Sequence, residues 1–215
     1  MDEFTKKWLE SNLLGAKTIE ELHVLERRAT RINANYLMDN PIKGNFDYKH
    51  LKNIHKALFE NVYTFAGQDR FDMGIYDSFG KKSLQGDMVW FISGLELPKH
   101  AERLFDELKA KNNLKGLNYS QFAKEGVSFF IELNKLHPFR EGNGRTQRIF
   151  MCQLAKEAGY ELNLAKGITK NEMTNACING MRCGRMSMIR IFSRNLKPLE
   201  FEKTKPIEKN FGRER

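Results

Sequence analysis

His137-Pro138-Phe139-Arg140-Glu141-Gly142-Asn143-Gly144-Arg145-Thr146-Gln147-Arg148 is the stretch on which the reading of this 215-residue chain turns. The segment before it places Tyr119, Phe122, Phe129, Phe130, Leu133 and Leu136 at helical spacing. Pro138 has no backbone donor and pushes His137 out of the helical region, so that helix should stop at about Leu136. The imidazole is then expected just past a helix C-terminus, where the macrodipole favours its protonated form. Gly142 and Gly144 allow a turn tight enough to aim several N–H groups at one point. A second helical run, through Arg145, Arg148, Ile149, Phe150 and Leu154, begins there, and an open helix N-terminus is a ready anion site. Arg145 and Arg148, three apart, should project from one face. Glu141 beside such an anion cradle is a natural Mg²⁺ ligand. Together these groups suit phosphoryl or nucleotidyl transfer.

Outward from this stretch the chain reads as mostly helical. A short helix is expected around Phe4, Trp8 and Leu9, ending near Gly15. Thr18 and Glu21 form a capping-box pattern opening a helix to about Leu37, and Asp47 can cap the next, with Leu51, Ile54, Leu58 and Phe59 as its stripe. His50 and His55 do not share a helical face and have no Cys nearby, so they read as core or surface histidines rather than metal ligands. From Gln68 to Gly86, glycines punctuate short stretches, and this is where a small hairpin fits. Residues 87–112 give an amphipathic pattern broken at Pro98. Gly159 suits the end of the second motif helix, and two short helices follow, over about 170–178 and 182–192. From Lys197 the composition turns polar and charged.

Forty per cent hydrophobic residues, sixteen Phe among them, support one good core. A net charge of +9 suits anionic ligands, or a merely solvated basic surface. Three cysteines without a C-x-x-C pair indicate neither a disulfide framework nor a structural zinc site. No apolar signal core and no membrane-length run are visible, so the expected setting is the cytoplasm, with delivery elsewhere open to a secretion system needing no cleaved signal. The P-loop pattern G-x-x-x-x-G-K-[S/T] does not occur.

The 137–148 run resembles the Fic family signature H-P-F-x-[D/E]-G-N-G-R-x-x-R at every fixed position. Eight specified residues coincide by chance in roughly one window in 10¹⁰. Ile54–Phe59 and Val62–Arg70 are similar to the segment before that family's target-binding hairpin. The resemblance implies an all-α Fic fold of about six to eight helices with one small β-hairpin flap. It divides the chain into an N-terminal helical extension (1–44), a catalytic core (45–195) and a charged tail or linker (196–215). It further implies a protein adenylyltransferase, a toxin or effector moving AMP from ATP to a Tyr, Thr or Ser hydroxyl of a target protein. His137 would be the base and Glu141 the Mg²⁺ ligand, with Gly142, Asn143, Gly144, Arg145 and Arg148 binding the nucleotide. The flap contacting the target would be Asp72-Met73-Gly74-Ile75-Tyr76, a wording that departs from the commoner T-V-N-I-S-K-G. Many relatives are restrained by a helix reading [S/T]-x-x-x-E-[G/N]; Thr204–Lys209 matches poorly, so the expectation is a toxin restrained by a separate small inhibitory protein, or an effector left unrestrained. Neither membrane nor nucleic acid is expected as a partner. Transfer of another phosphate-linked group, such as uridylate or phosphocholine, and a non-catalytic nucleic-acid-binding module are the alternatives.

Overall fold

Local capping chemistry sets most of the helix boundaries. In the computed structural model, which describes residues 3–82, 86, 88–165, 167–182 and 184–199, the Thr18 hydroxyl accepts the Glu21 N–H and opens α2 (Ile19–Asp39), after the short α1 (Glu3–Glu10). The Asp47 carboxylate accepts the His50 N–H at the start of α3 (Tyr48–Phe59). Pro98 occupies the first turn of α4 (Leu97–Ala110), where its missing N–H costs nothing. Asn118 and Gln121 cap each other's backbone to start α5 (Tyr119–Leu136). Then follow α6 (Asn143–Glu157), α7 (Lys170–Arg182) and α8 (Met186–Asn195).

Helix α5 is the axis. Phe122, Phe130 and Leu133 are fully buried, and α4, α6, α7 and α8 all pack on it. Each such aromatic contributes about 1.5–3 kcal/mol on burial. Helix α6 fills the space between α5, α3 and α2. The architecture is thus eight α-helices with two small antiparallel strand pairs among the described residues.

The strands depart from the sequence reading in two places. The hairpin is β1 (Gly80–Lys82) with β2 (Met88–Trp90), in the register Lys81 opposite Val89. Residues 72–76, expected to contact the target as its edge, form no strand: 72–74 are a turn and 75–76 are irregular. Asp69 and Asp72 each accept the other's backbone N–H, at 2.9 and 3.0 Å, and this reciprocal cap winds the chain rather than extending it. Residues 88–90 are accordingly strand, with Val89 inward between exposed Met88 and Trp90. The second pair is β3 (Tyr160–Leu162) with β4 (Leu196–Pro198), so the start of the segment read as a tail is a strand of the folded unit. The Thr204–Lys209 stretch lies outside the described residues, as does Cys183.

Candidate active site

Helix α5 ends where Pro138 requires, and His137 takes a left-handed conformation (φ 42°, ψ 58°). That geometry costs a residue with a Cβ about 1–2 kcal/mol and must be held. Arg70 holds it. Its guanidinium, 1% exposed, donates from Nε to the His137 carbonyl (3.0 Å) and from Nη2 to the Leu136 carbonyl (3.3 Å). It donates further to Ile92 O (2.5 Å) and Asp77 O (3.3 Å), on the two chains flanking the hairpin. One buried cation therefore caps α5 and ties the hairpin to it. The sequence carries no periodicity or spacing that marks Arg70 for this role.

The His137 ring stacks on Phe91 (centroids 3.9 Å apart, 22° between planes) and meets the edge of Phe79 at 5.6 Å. Nδ1 lies 3.3 Å from the Asn134 carbonyl. A carbonyl only accepts, so Nδ1 carries the proton and the Nε2 lone pair is left to act as a base. Burial against the two aromatics, with Arg70 and Lys81 nearby, pushes the ring's pKa down to about 3, against the opposing pull of the Asn134 carbonyl. The expectation of a dipole-favoured imidazolium is thus reversed: desolvation outweighs the helix end.

The loop between the helices is fixed from three sides. Phe139 is fully buried and stacks on His55 at 3.9 Å and 11°. Because the Gly67 N–H donates to His55 Nδ1 (2.9 Å), Nε2 must carry the proton it gives to the Glu141 carbonyl at 3.1 Å. Burial lowers the His55 pKa to about 4 and keeps it neutral. The Asn143 side chain both accepts from the Phe139 N–H (2.8 Å) and donates to the Phe139 carbonyl (2.6 Å). Its amide closes the loop rather than reaching for a phosphate. Gly142 sits at φ 80°, and a Cβ there would lie 2.3 Å from the Phe59 ring. Among the described hydrogen bonds none uses the backbone N–H of Asn143 or Gly144, so the first amides of α6 stay open, as helix starts leave them.

The two motif arginines have different surroundings. Arg145 is engaged: Nη2 lies 2.6 Å from Glu26 Oε1 and 3.4 Å from Glu141 Oε1, Nη1 donates to Thr30 Oγ1 at 2.9 Å, and the guanidinium lies over Phe59. Arg148 has no ion pair among the described residues. Its Nη1 passes 3.2 Å from where a Gly144 Cβ would be, beside the open amides. Burial, then the charge of Arg145, lowers its pKa without discharging a guanidinium.

His137, Glu141, Gly142, Asn143, Gly144, Arg145 and Arg148 all line one cavity of about 750 Å³. Leu164, Ile168, Met173 and Met181 also line it, interspersed with the polar Thr169, Lys170 and Thr174, as do Lys81 and Val89 of the hairpin. Among the described residues no three His, Cys, Asp or Glu side chains converge. Glu141, with Oε1 on the Gly142 N–H (2.9 Å) and no recorded hydrogen bond at Oε2, is the one motif carboxylate on the cavity. Such a donor set fits a cation that keeps its waters and shares one carboxylate with bound phosphates, the habit of Mg²⁺.

Residues 45–155 match the family described as Fic/DOC. The protein adenylyltransferase VbhT of Bartonella schoenbuchensis is 35% identical over 185 residues, covering 86% of this chain and 36% of that protein. The probable protein adenylyltransferase y4lH of Sinorhizobium fredii is 36% identical over 160 residues, covering 74% and 72%. The chain spans about a third of the length of the first two curated relatives it matches. Among solved structures, the Bartonella effector BepC from Bartonella tribocorum, with bound AMPPNP, superposes with a TM-score of 0.76 at 30% identity, covering 88% of this chain and 92% of that one. The Fic domain of a Bartonella quintana effector, with bound ADP, gives 0.77 at 31% identity, covering 88% and 91%. With helix–turn–helix geometry, motif and relatives in agreement, the chain belongs to the Fic/DOC family.

Proposed function

We propose that the chain is a protein adenylyltransferase, moving AMP from ATP to a Tyr, Thr or Ser hydroxyl of a target protein. The observation that carries this is the His137 Nε2 lone pair on the same cavity as the open α6 amides and an Arg148 with no ion pair among the described residues. The triphosphate would lie over the amides of Asn143 and Gly144, with Arg148 on its outer phosphates and the nucleoside against Leu164, Ile168 and Met173. The target hydroxyl oxygen then forms a bond to the α-phosphorus as the bond to the bridging oxygen breaks. Its proton passes to His137 Nε2, and pyrophosphate leaves with the bridging electrons. Mg²⁺ on Glu141, when bound, would supply charge neutralisation between neighbouring phosphates. The anionic nucleotide opposes Arg70 and Lys81 at the imidazole and raises its low basicity toward the working range.

The target's extended segment would lie along the β1–β2 hairpin, whose short outer edges pair with no further strand among the described residues, bringing its hydroxyl to His137. Residues 72–76, forming no strand, would contact the target only outside that strand register. Among the described residues no carboxylate pairs with Arg148, which supports restraint by a separate small protein. No described helix is long and apolar enough to cross a membrane; delivery as an effector, by a secretion system needing no cleaved signal, would bring the chain to its target. The test is mass spectrometry of cell proteins incubated with the chain and ATP. An added adenylate on a hydroxyl side chain, absent with His137→Ala, supports the proposal; a different transferred group, or equal modification by the variant, refutes it.

A further inference from the structure

The Arg145 guanidinium stands between two carboxylates. Glu26, on α2, is 4% exposed and holds Nη2 at 2.6 Å; Glu141, whose side chain is 42% exposed, reaches the same nitrogen only at 3.4 Å. A carboxylate that has lost its water needs its cation more than one that keeps water, so the buried partner wins the contest. Thr30 fixes the outcome. Its hydroxyl donates to the Glu26 carbonyl (2.8 Å), which aims its lone pairs at Arg145 Nη1 (2.9 Å). Helix α2 lies outside residues 45–155, the segment matched by the family, so nothing in the motif foretells this contact.

We infer that Glu26 is a positioning residue: by drawing Arg145 onto α2 it limits that arginine to one long hydrogen bond with Glu141 Oε1 (3.4 Å) and leaves Glu141 Oε2 to a divalent cation shared with the nucleotide. The inference rests on reading Glu141 as the cation ligand. Without Glu26, the nearest carboxylate for Arg145 is Glu141, and the new pair would compete with the cation.

The readout is the factor by which Mg²⁺ tightens AMPPNP binding, measured by calorimetry with Mg²⁺ and with chelator. For Glu26→Gln that factor should fall about two- to fivefold, the worth of a partly exposed ion pair, while metal-free AMPPNP affinity stays within about twofold. Adding Arg145→Met to Glu26→Gln should restore the factor, which loss of packing alone would not do. A Glu26→Gln chain that melts earlier yet keeps the wild-type factor overturns the inference and leaves Glu141 as ligand standing. A wild-type chain whose AMPPNP affinity ignores Mg²⁺ overturns both. Should Glu26→Gln fail to fold, Thr30→Val carries the test: a smaller fall in the same direction supports the assignment, and no fall overturns it.

Discussion

At the scale of the residue, the site is built by making individual groups do what they resist. His137 sits in a left-handed conformation, is pressed between Phe91 and Phe79, and is denied its usual charge. Titrated by NMR in the nucleotide-free protein, its ring should remain neutral at pH 5, and AMPPNP with Mg²⁺ should shift its midpoint upward; a free-protein midpoint near the ordinary histidine value of about 6.5 would contradict the burial account. Gly142 is bound both by its φ of 80° and by the Phe59 ring. Gly142→Ala should therefore destabilise the chain by about 2–4 kcal/mol in urea unfolding, strain and overpacking together. The glycines, the histidine and the arginines of this turn were legible in the sequence, because they are contiguous and each has a local reason for its place. Asn143 was read as a nucleotide contact; the structure gives its side chain to Phe139, a use that only the closed loop reveals, and leaves its backbone N–H open.

At the scale of the element, two helices and a hairpin meet at one guanidinium. Arg70 bonds carbonyls on both sides of the α5 terminus and on both chains leading to the hairpin. Arg70→Leu keeps the bulk and removes all four bonds. We expect at least about 3 kcal/mol of lost stability, from hydrogen bonds to a charged donor, and a fall in turnover larger than any change in nucleotide affinity. A variant with wild-type stability would show the cap to be dispensable. Helix boundaries followed from the sequence at Thr18, Asp47, Pro98 and Pro138, since caps and prolines act within a turn. The hairpin was expected between Gln68 and Gly86; its first strand falls there, at Gly80–Lys82, and its second just beyond, at Met88–Trp90. The Asp69–Asp72 reciprocal cap turns the stretch expected to extend, and Gly80 leaves room for Met88 and Trp90 to fold across the real strand pair.

At the scale of the whole molecule, contacts far apart in sequence finish the site. Arg145 meets Glu26 across 119 positions, and His55 meets Glu141 across 86. Neither pairing has a local signature, which is why the spacing of residues could not show them. The buried neutral histidines also set how the fold responds to acid. A histidine whose folded pKa lies below its unfolded value binds protons more readily when unfolded, so stability is lost as pH falls from about 6.5 toward the folded value. For His55, lowered to about 4, the full loss is about 3 kcal/mol. The urea midpoint should drop steadily between pH 6.5 and 4.5, and His55→Gln should flatten that slope; an unchanged slope would show that other groups govern it.

In the proposed reaction this chain moves adenylate, with His137 as base. Incubation of a cell extract with ATP labelled at the α-phosphate, in parallel with ATP labelled at the γ-phosphate, tests it directly. Protein-bound label is expected from the α-labelled nucleotide only, and none with His137→Ala; label from the γ-position, or undiminished labelling by the variant, would overturn the assignment.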